Sequence, residues 1–509
     1  MKISIPFRNT YNTLPDVFFQ KIEPTPVSDP QLLHFNSTLA QDLCISLLHD
    51  DGTAMNADLK PAGLSQDIAS TLAAVFSGNT LPDGAEPLAM AYAGHQFGHF
   101  VPQLGDGRAI LLGEVTDSAG RQRDIQLKGA GRTRFSRGGD GRAALGPVIR
   151  EYIVSEAMHA LGIPTTRALA MVRTGEPVYR ETPLPGAIVT RVANAHIRVG
   201  TFEYFAARQN TDAIKSLADY VINRLYPHCR EHPHPYRALL TEIMRAQANL
   251  VAGWMHVGFI HGVMNTDNCS VAGETIDYGP CAFMDHFDAA RVFSSIDHQG
   301  RYAYKNQPLI ARWNLENLGA CLAPLLADTT EEAVDHIKAS VEVYRSEFDA
   351  HWQRGFLRKI GLETTSPGPV LPLVHELLER MQKDRADFTN TFRFLGDDDE
   401  NLTRFRTQFR PDEGIDAWIQ AWKSAIKLEY GPENDLKQAR AAMNAVNPAY
   451  IPRNHRVEEA LTAALHGDMQ PTQTLLDLLA DPYRERHGYE VYMEPPKPEE
   501  VVHQTFCGT

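Results

Sequence analysis

Hydrophobic and polar positions change rhythm along the chain. Between about residues 100 and 200, short alternating runs are separated by Gly-rich turns, as in half-buried strands. Through most of 201–480 apolar residues recur at i, i+3, i+4 and i+7, the spacing of helices with one buried face. "QLGDGRAILLGEV" (103–115) predicts a Gly105-x-Gly107 turn entering an apolar strand, and "RDIQLKGAG" (123–131) a strand with Lys128 at its end. "GPVIREYIVSEAMHALGIP" (146–164) is punctuated as a helix, with Pro147 in the first turn, Gly162 at the end and Pro164 beyond; it carries Glu151 and Glu156. In 239–262, Leu240, Ile243, Met244, Gln247, Leu250, Val251, Trp254 and Val257 predict a buried scaffold helix leading into His261. Strands first and helices second predict an α+β chain with two lobes. "GLETTSPGPV" (361–370) reads as a linker in the helical part, and "LGDDDEN" (395–401) as a solvated turn capping the next helix.

Composition narrows the partners. With 509 residues and 43% apolar content the chain can bury a large core. A net charge of −14 argues against nucleic acid or an anionic membrane as partner, since both select a basic surface. No apolar run reaches the roughly 18 residues of a membrane span. The start, "MKISIPFRNTYNTLP", has neither a continuous apolar region nor the character of a transit peptide, so the expected location is cytoplasmic. Six cysteines without a C-x-x-C fit a reducing compartment. Of these, Cys281 and Cys507 are candidates for a redox latch, but one buried and one exposed terminal thiol is the favoured reading, since sequence does not place two sulfurs within bonding distance. His95 and His99 stand four apart, but no Glu occupies the second position and a Gly interrupts them, which favours a structural role over zinc.

The chemistry concentrates in "HGVMNTDNCSVAGETIDYG" (261–279). Here Asn268 follows His261 by seven residues, and Asp277-Tyr278-Gly279 follows nine residues later. Protein kinases read H-R-D-x-x-x-x-N and then D-F-G, so the two metal-ligating positions are matched by Asn268 and Asp277. The position of the kinase base, however, holds Val263. Upstream, the glycine turn, strand Lys128 and helix Glu151 come in the kinase order, in which a carboxylate fixes the lysine that holds phosphate. The short hairpin expected at "CSVAGETI" brings Asn268 and Asp277 together as hard oxygen ligands for Mg²⁺ or Mn²⁺.

Between Lys128 and Glu151 lies "GAGRTRFSRGGDGRAALG", with four arginines among repeated glycines. Backbone amides at glycine and guanidinium forks both suit phosphate, and with a single aromatic, Phe135, the segment does not read as a nucleic-acid platform. Arg108, Arg191 and Arg198 add more fixed positive charge. The lost base and the surplus arginine have one common explanation: a triphosphate bound the other way round, its β,γ end among the arginines and its α-phosphorus facing the acceptor. Transfer would then move a nucleoside monophosphate and release pyrophosphate. Asp267 is the nearest carboxylate able to take the acceptor's proton; as a lone residue it reads equally as a loop or capping Asp.

The segments "YAGHQFGHFVPQLGDGRA", "QLKGAGRTRFSRGGDGRAALGPVIREYIVSEAMHALGIPT", "HGVMNTDN" and "IDYGP" together resemble the selenoprotein O (SelO) family. The resemblance implies a protein-kinase-like fold with a β-rich N-lobe at 96–205 and a helical C-lobe at 206–440. Extensions at 1–95 and 441–509 would flank the lobes. It also implies transfer of AMP from ATP, bound in flipped orientation, to Ser, Thr or Tyr hydroxyls of proteins, the chain itself included. Asp267 would be the proton acceptor and Asn268 and Asp277 the metal ligands. Lys128, paired with Glu151, would bind the nucleotide with Gly105, Gly107, Arg108, Asp140, Gly141, Arg191 and Arg198. UMP transfer from UTP, an ordinary kinase activity and a non-catalytic nucleotide-binding scaffold are the alternatives. Some members carry selenocysteine near the C-terminus, where this chain has Cys507. Animal members are mitochondrial, whereas this N-terminus resembles the shorter bacterial form.

Overall fold

The computed structural model describes residues 1–49, 51, 53, 64–363, 370–411, 413–431 and 435–505. Its strands are β1 (Lys2–Ser4), β2 (Phe19–Lys21), β3 (Gln31–Phe35), β4 (Ser46–Leu48), β5 (Leu88–Met90), β6 (Gly94–Gln96) and β7 (His99–Val101). They continue with β8 (Ala109–Thr116), β9 (Gln122–Lys128), β10 (Ala143–Ala144), β11 (Arg167–Tyr179), β12 (Pro183–Ala193), β13 (Phe259–Ile260) and β14 (Ala282–Phe283). The first eight helices are α1 (Ser37–Asp42), α2 (Gln66–Phe76), α3 (Leu145–Ala160), α4 (Val199–Ala206), α5 (Thr211–Leu225), α6 (Pro235–His256), α7 (Gln307–Leu326) and α8 (Thr330–Lys359).

The alternating runs form an eight-stranded antiparallel sheet in the order β2-β5-β8-β9-β12-β11-β3, with β10 paired to β12. Three of its strands come from the first 95 residues. One face, carrying Ile110, Leu112, Ile125, Leu127 and Ile188, packs with Phe76 and Leu72 of α2. The opposite face, with Met171 and Val189, packs on Ile149, Tyr152 and Ile153 of α3. Helix α3 is covered in turn by helices Asn454–Leu465 and Gln470–Leu479. Its observed ends agree with its punctuation: Gly162 takes a φ of 77°, and the helix has stopped at Ala160.

The scaffold helix starts earlier than its apolar spacing suggests, because Pro235 fits the first turn, and it stops at His256. Gly258, at φ 69°, then turns the chain into β13. Strand β13 pairs with β14, so residues 261–281 form a closed loop hung from two adjacent strands. In the acidic stretch, Asp399 accepts hydrogen bonds from the amides of Asn401 and Thr403 at 2.9 and 2.7 Å, as a capping turn would. Most of the expected linker at 361–370 lies outside the described residues. Among those residues no helix is long and apolar enough to cross a membrane.

Candidate active site

A cavity of about 920 Å³ opens between the sheet and the loop 261–281. Gly105, Gly107, Arg108, Lys128, Asp140, Gly141, Glu151, Arg191, Arg198, Asp267, Asn268 and Asp277 all line it. These are the nucleotide, base and metal candidates of the sequence, drawn together from over 170 residues of chain.

At the inner end, β9 delivers Lys128 and β12 delivers Arg191 beside Glu151 of α3. Lys128 Nζ lies 2.5 Å from Glu151 Oε2 and 3.6 Å from Asp277 Oδ1. Arg191 binds Glu151 through Nε and Asp277 through Nη2, the latter at 2.6 Å. Arg198, at the start of α4, reaches Asp277 Oδ2 at 3.2 Å and Asp106 Oδ1 at 3.3 Å. Its guanidinium also lies 4.4 Å from the ring centre of Tyr92. Three cations thus face three carboxylates in a buried cluster. Burial favours the neutral form of Asp277, but Arg191, Arg198 and Lys128 outweigh it and hold its carboxyl well below the usual range. Glu151 is likewise held low by Arg191 and Lys128 against its burial. Burial and the neighbouring Arg191 lower the Lys128 ammonium.

The loop is not the hairpin expected at "CSVAGETI". Its two arms pair with different partners: Val199 N donates to Cys269 O at 2.9 Å, and Thr166 N donates to Thr275 O at 3.0 Å. Trp254 Nε1 of α6 also holds Thr275 Oγ1 at 2.8 Å. The backbone's hydrogen-bonding capacity is met by the 164–166 and 197–199 segments, so a self-paired hairpin gains nothing. Asn268 and Asp277 nonetheless both line the cavity. Asn268 Nδ2 donates to Val263 O at 3.0 Å, and Asp277 takes a φ of 60°. His261 is a buried core residue, bonded through Nε2 to Ile276 O at 3.0 Å.

Asp267 stands apart from the cations. Its Oδ2 accepts from Gln96 Nε2 at 3.3 Å, and its Oδ1 is buried without a hydrogen-bond partner. Burial pushes its carboxyl up to about 7, opposed by the Gln96 hydrogen bond and by Arg198. A group titrating there suits proton transfer near neutrality.

The Gly-rich segment closes the cavity on the sheet side. At Gly105, φ 83°, a Cβ would lie 2.4 Å from the Phe135 ring; at Gly141, φ 70°, it would lie 2.1 Å from Gly131 O. Close backbone approach therefore requires glycine at both. Two arginines of this segment are committed to backbone carbonyls. Arg132 donates to Gly139 O and Gly138 O at 2.7 and 2.9 Å, and Arg142 to Thr25 O and Pro26 O, both at 3.0 Å. Both act chiefly as struts for the loop. Asp140 is held by Arg180 at 2.8 Å, from the β11–β12 turn.

Sequence reasoning missed Gln96, Tyr92, Asp106 and Arg180, each of which contacts a predicted residue. Tyr92 and Gln96 sit in the conspicuous segment "YAGHQFGHF" and Asp106 inside the Gly105-x-Gly107 turn, whereas the position of Arg180 carries no signal. His95 and His99 lie on the two strands of a hairpin, with His95 Nδ1 2.6 Å from Glu203 Oε1. Among the described residues no group of three His, Cys, Asp or Glu side chains is placed to hold a metal. Cys281 is fully buried, its thiol pushed up to about 11 by burial, while Cys507 lies outside the described residues. Val502, Gln504 and Thr505 of the tail line the same cavity, and Thr505 Oγ1 donates to Pro280 O at 2.6 Å.

The family model "Protein adenylyltransferase SelO" matches residues 2–480. The chain belongs to the SelO family. A protein nucleotidyltransferase YdiU of Rhizobium johnstonii is 55% identical over 512 residues, covering 99% of this chain and 98% of the relative. Another, of Bradyrhizobium sp. (strain ORS 278), is 53% identical over the whole of both chains. The chain is accordingly a nucleotidyltransferase with a nucleotide substrate and protein targets, and the cavity above is where its SelO-type motifs converge.

Proposed function

We propose that the chain transfers AMP from ATP to Ser, Thr or Tyr hydroxyls of proteins, itself among them, with Mg²⁺ or Mn²⁺. The observation that carries this reading is the separation of charge in the cavity. Lys128, Arg191 and Arg198 converge on Asp277 at one end, whereas Asp267 sits apart from these ion pairs, bonded to Gln96. Cations at the inner end suit the β- and γ-phosphates, which leaves the α-phosphorus for the acceptor at Asp267. Asp267 takes the hydroxyl proton, the acceptor oxygen bonds to the α-phosphorus, and the α–β bridging oxygen leaves with pyrophosphate. Gly105, Gly107, Arg108, Asp140 and Gly141 frame the nucleotide from the sheet side.

Asn268 and Asp277 would hold the cation, and their chemistry fits it. Asn268 commits only its Nδ2 to Val263, leaving Oδ1 as a neutral ligand, and the ionised Asp277 keeps lone pairs beside its two arginine bonds. When bound, the cation neutralises phosphate charge. A two-lobed kinase-like arrangement, β-rich over 96–205 and helical over 206–440 with extensions on either side, accounts for the Lys128–Glu151 pair and the loop after α6. A Cys281–Cys507 latch is supported by the docking of Thr505 beside Pro280.

Intact-mass spectrometry after incubation with ATP or UTP and either metal tests the reading. An adenylyl increment from ATP supports it; a uridylyl increment from UTP alone would substitute the UMP reading, and a phosphoryl increment would replace both.

A further inference from the structure

The hairpin β6–β7 is one element that the transfer chemistry does not yet use. It turns at Phe97 and Gly98, both at positive φ (52° and 85°), a two-residue turn that suits the strand twist. The hairpin grips the loop around Asp267 at four points. His95 N donates to Thr266 Oγ1 at 2.6 Å, and Phe97 N donates to Asn265 Oδ1 at 3.0 Å. Gln96 Nε2 reaches Asp267 Oδ2 at 3.3 Å. At Gly94 a Cβ would lie 2.5 Å from Asp267 Oδ1, so the carboxylate rests directly on the hairpin backbone. Thr266 is bonded further to Glu203 of α4, and Asn265 to Tyr302 at 2.7 Å, so the residues flanking Asp267 are fixed independently.

The terminal torsion of an aspartate is soft, and beside its own backbone amide the Asp267 carboxylate has Gln96 as its side-chain donor. Oδ1 is shut against Gly94, which leaves Oδ2 as the oxygen an acceptor hydroxyl can reach, and Gln96 is the residue bonded to it. We propose that Gln96 is a positioning residue for the transfer, orienting the Asp267 carboxylate toward the acceptor and acting through it rather than on the nucleotide. The proposal rests on Asp267 as the proton acceptor. The nucleotide end is held by a separate set of residues, Lys128, Arg191 and Arg198, so the two functions are separable by substitution.

The test compares Gln96→Leu, the near-isosteric Gln96→Glu and Asp267→Asn with the unaltered full chain. Label transfer from α-phosphorus-labelled ATP is followed with the chain itself and casein as acceptors, alongside ATP affinity and melting temperature. The expected result is a kcat loss of about 10- to 100-fold in both Gln96 variants, as for a small misplacement of a reacting group. ATP affinity should stay within about twofold and melting be unchanged, with Asp267→Asn more deeply impaired. Full kcat in both Gln96 variants beside an inactive Asp267→Asn would overturn the positioning role and leave the base reading intact. A loss that tracks weaker ATP binding or a lower melting temperature would overturn it too. An active Asp267→Asn would remove the base reading itself, and this proposal with it.

Discussion

Arg191 Nη2 meets Asp277 Oδ1 at 2.6 Å, and the same guanidinium binds Glu151 on α3, so one side chain ties the sheet, the helix and the loop after α6 into a single charged cluster. Removing one partner of a buried pair strands the others. Arg191→Met is therefore expected to destabilise the chain by about 3–5 kcal/mol, read by urea denaturation, and to leave its melting temperature unmoved by ATP, whereas that of the unaltered chain is expected to rise. Arg191→Lys restores charge without the fork, and should recover part of the stability but little of the ATP response.

The two aspartates of the site should fail differently. Asp267→Asn is expected to lower transfer by about 10²–10⁴-fold while ATP binding persists, the usual weight of a general base. Asp277→Asn should lose metal-dependent ATP binding as well, because it removes the negative charge that would hold the cation and that orders Arg191 and Arg198. Calorimetric titration with ATP in the presence and absence of Mg²⁺ separates the two; equal ATP affinity for both variants would contradict these roles.

Much of the cavity lining was legible in the sequence because part of its spacing is local. Asn268 and Asp277 fall within one loop, and Lys128 and Glu151 each sit where strand and helix signals place them. What the sequence withheld is non-local. The pairing of the loop arms with 164–166 and 197–199, the arrival of Gln96 beside Asp267, and the Arg180–Asp140 pair join residues 40 to 171 positions apart. No periodicity encodes such distances. Two arginines of the Gly-rich segment are a related case: backbone carbonyls compete for guanidinium groups, and Arg132 and Arg142 are engaged by the loop's own fold and its neighbours.

Gly141 tests the backbone side of the cavity. An Ala there would need a left-handed φ of 70° and would press on Gly131 O. Gly141→Ala should weaken ATP binding at least tenfold, about 1.4 kcal/mol or more, with far-ultraviolet circular dichroism unchanged. Unaltered affinity would show that the segment does not approach the nucleotide.

Lys359 predicts a pH dependence away from the site. It is buried at 3% exposure, its ammonium 4.4 Å from the Phe392 ring centre, and burial lowers it to about 7. Between that value and its ordinary 10.5 the folded chain binds fewer protons than the unfolded one, so this group's contribution to stability rises with pH across that window. Lys359→Met should therefore stabilise the chain by about 2–4 kcal/mol below pH 7, the gap closing as pH approaches 10. Denaturation at several pH values checks the sign; a gap that widens with pH would refute it.

The central claim is the polarity of the bound triphosphate, and the position of a radiolabel reads it most directly. With Mg²⁺ or Mn²⁺, ATP labelled at the α-phosphorus should mark protein, and ATP labelled at the γ-phosphorus should not. Labelling from the γ-position alone would place the terminal phosphate at Asp267 and contradict the account.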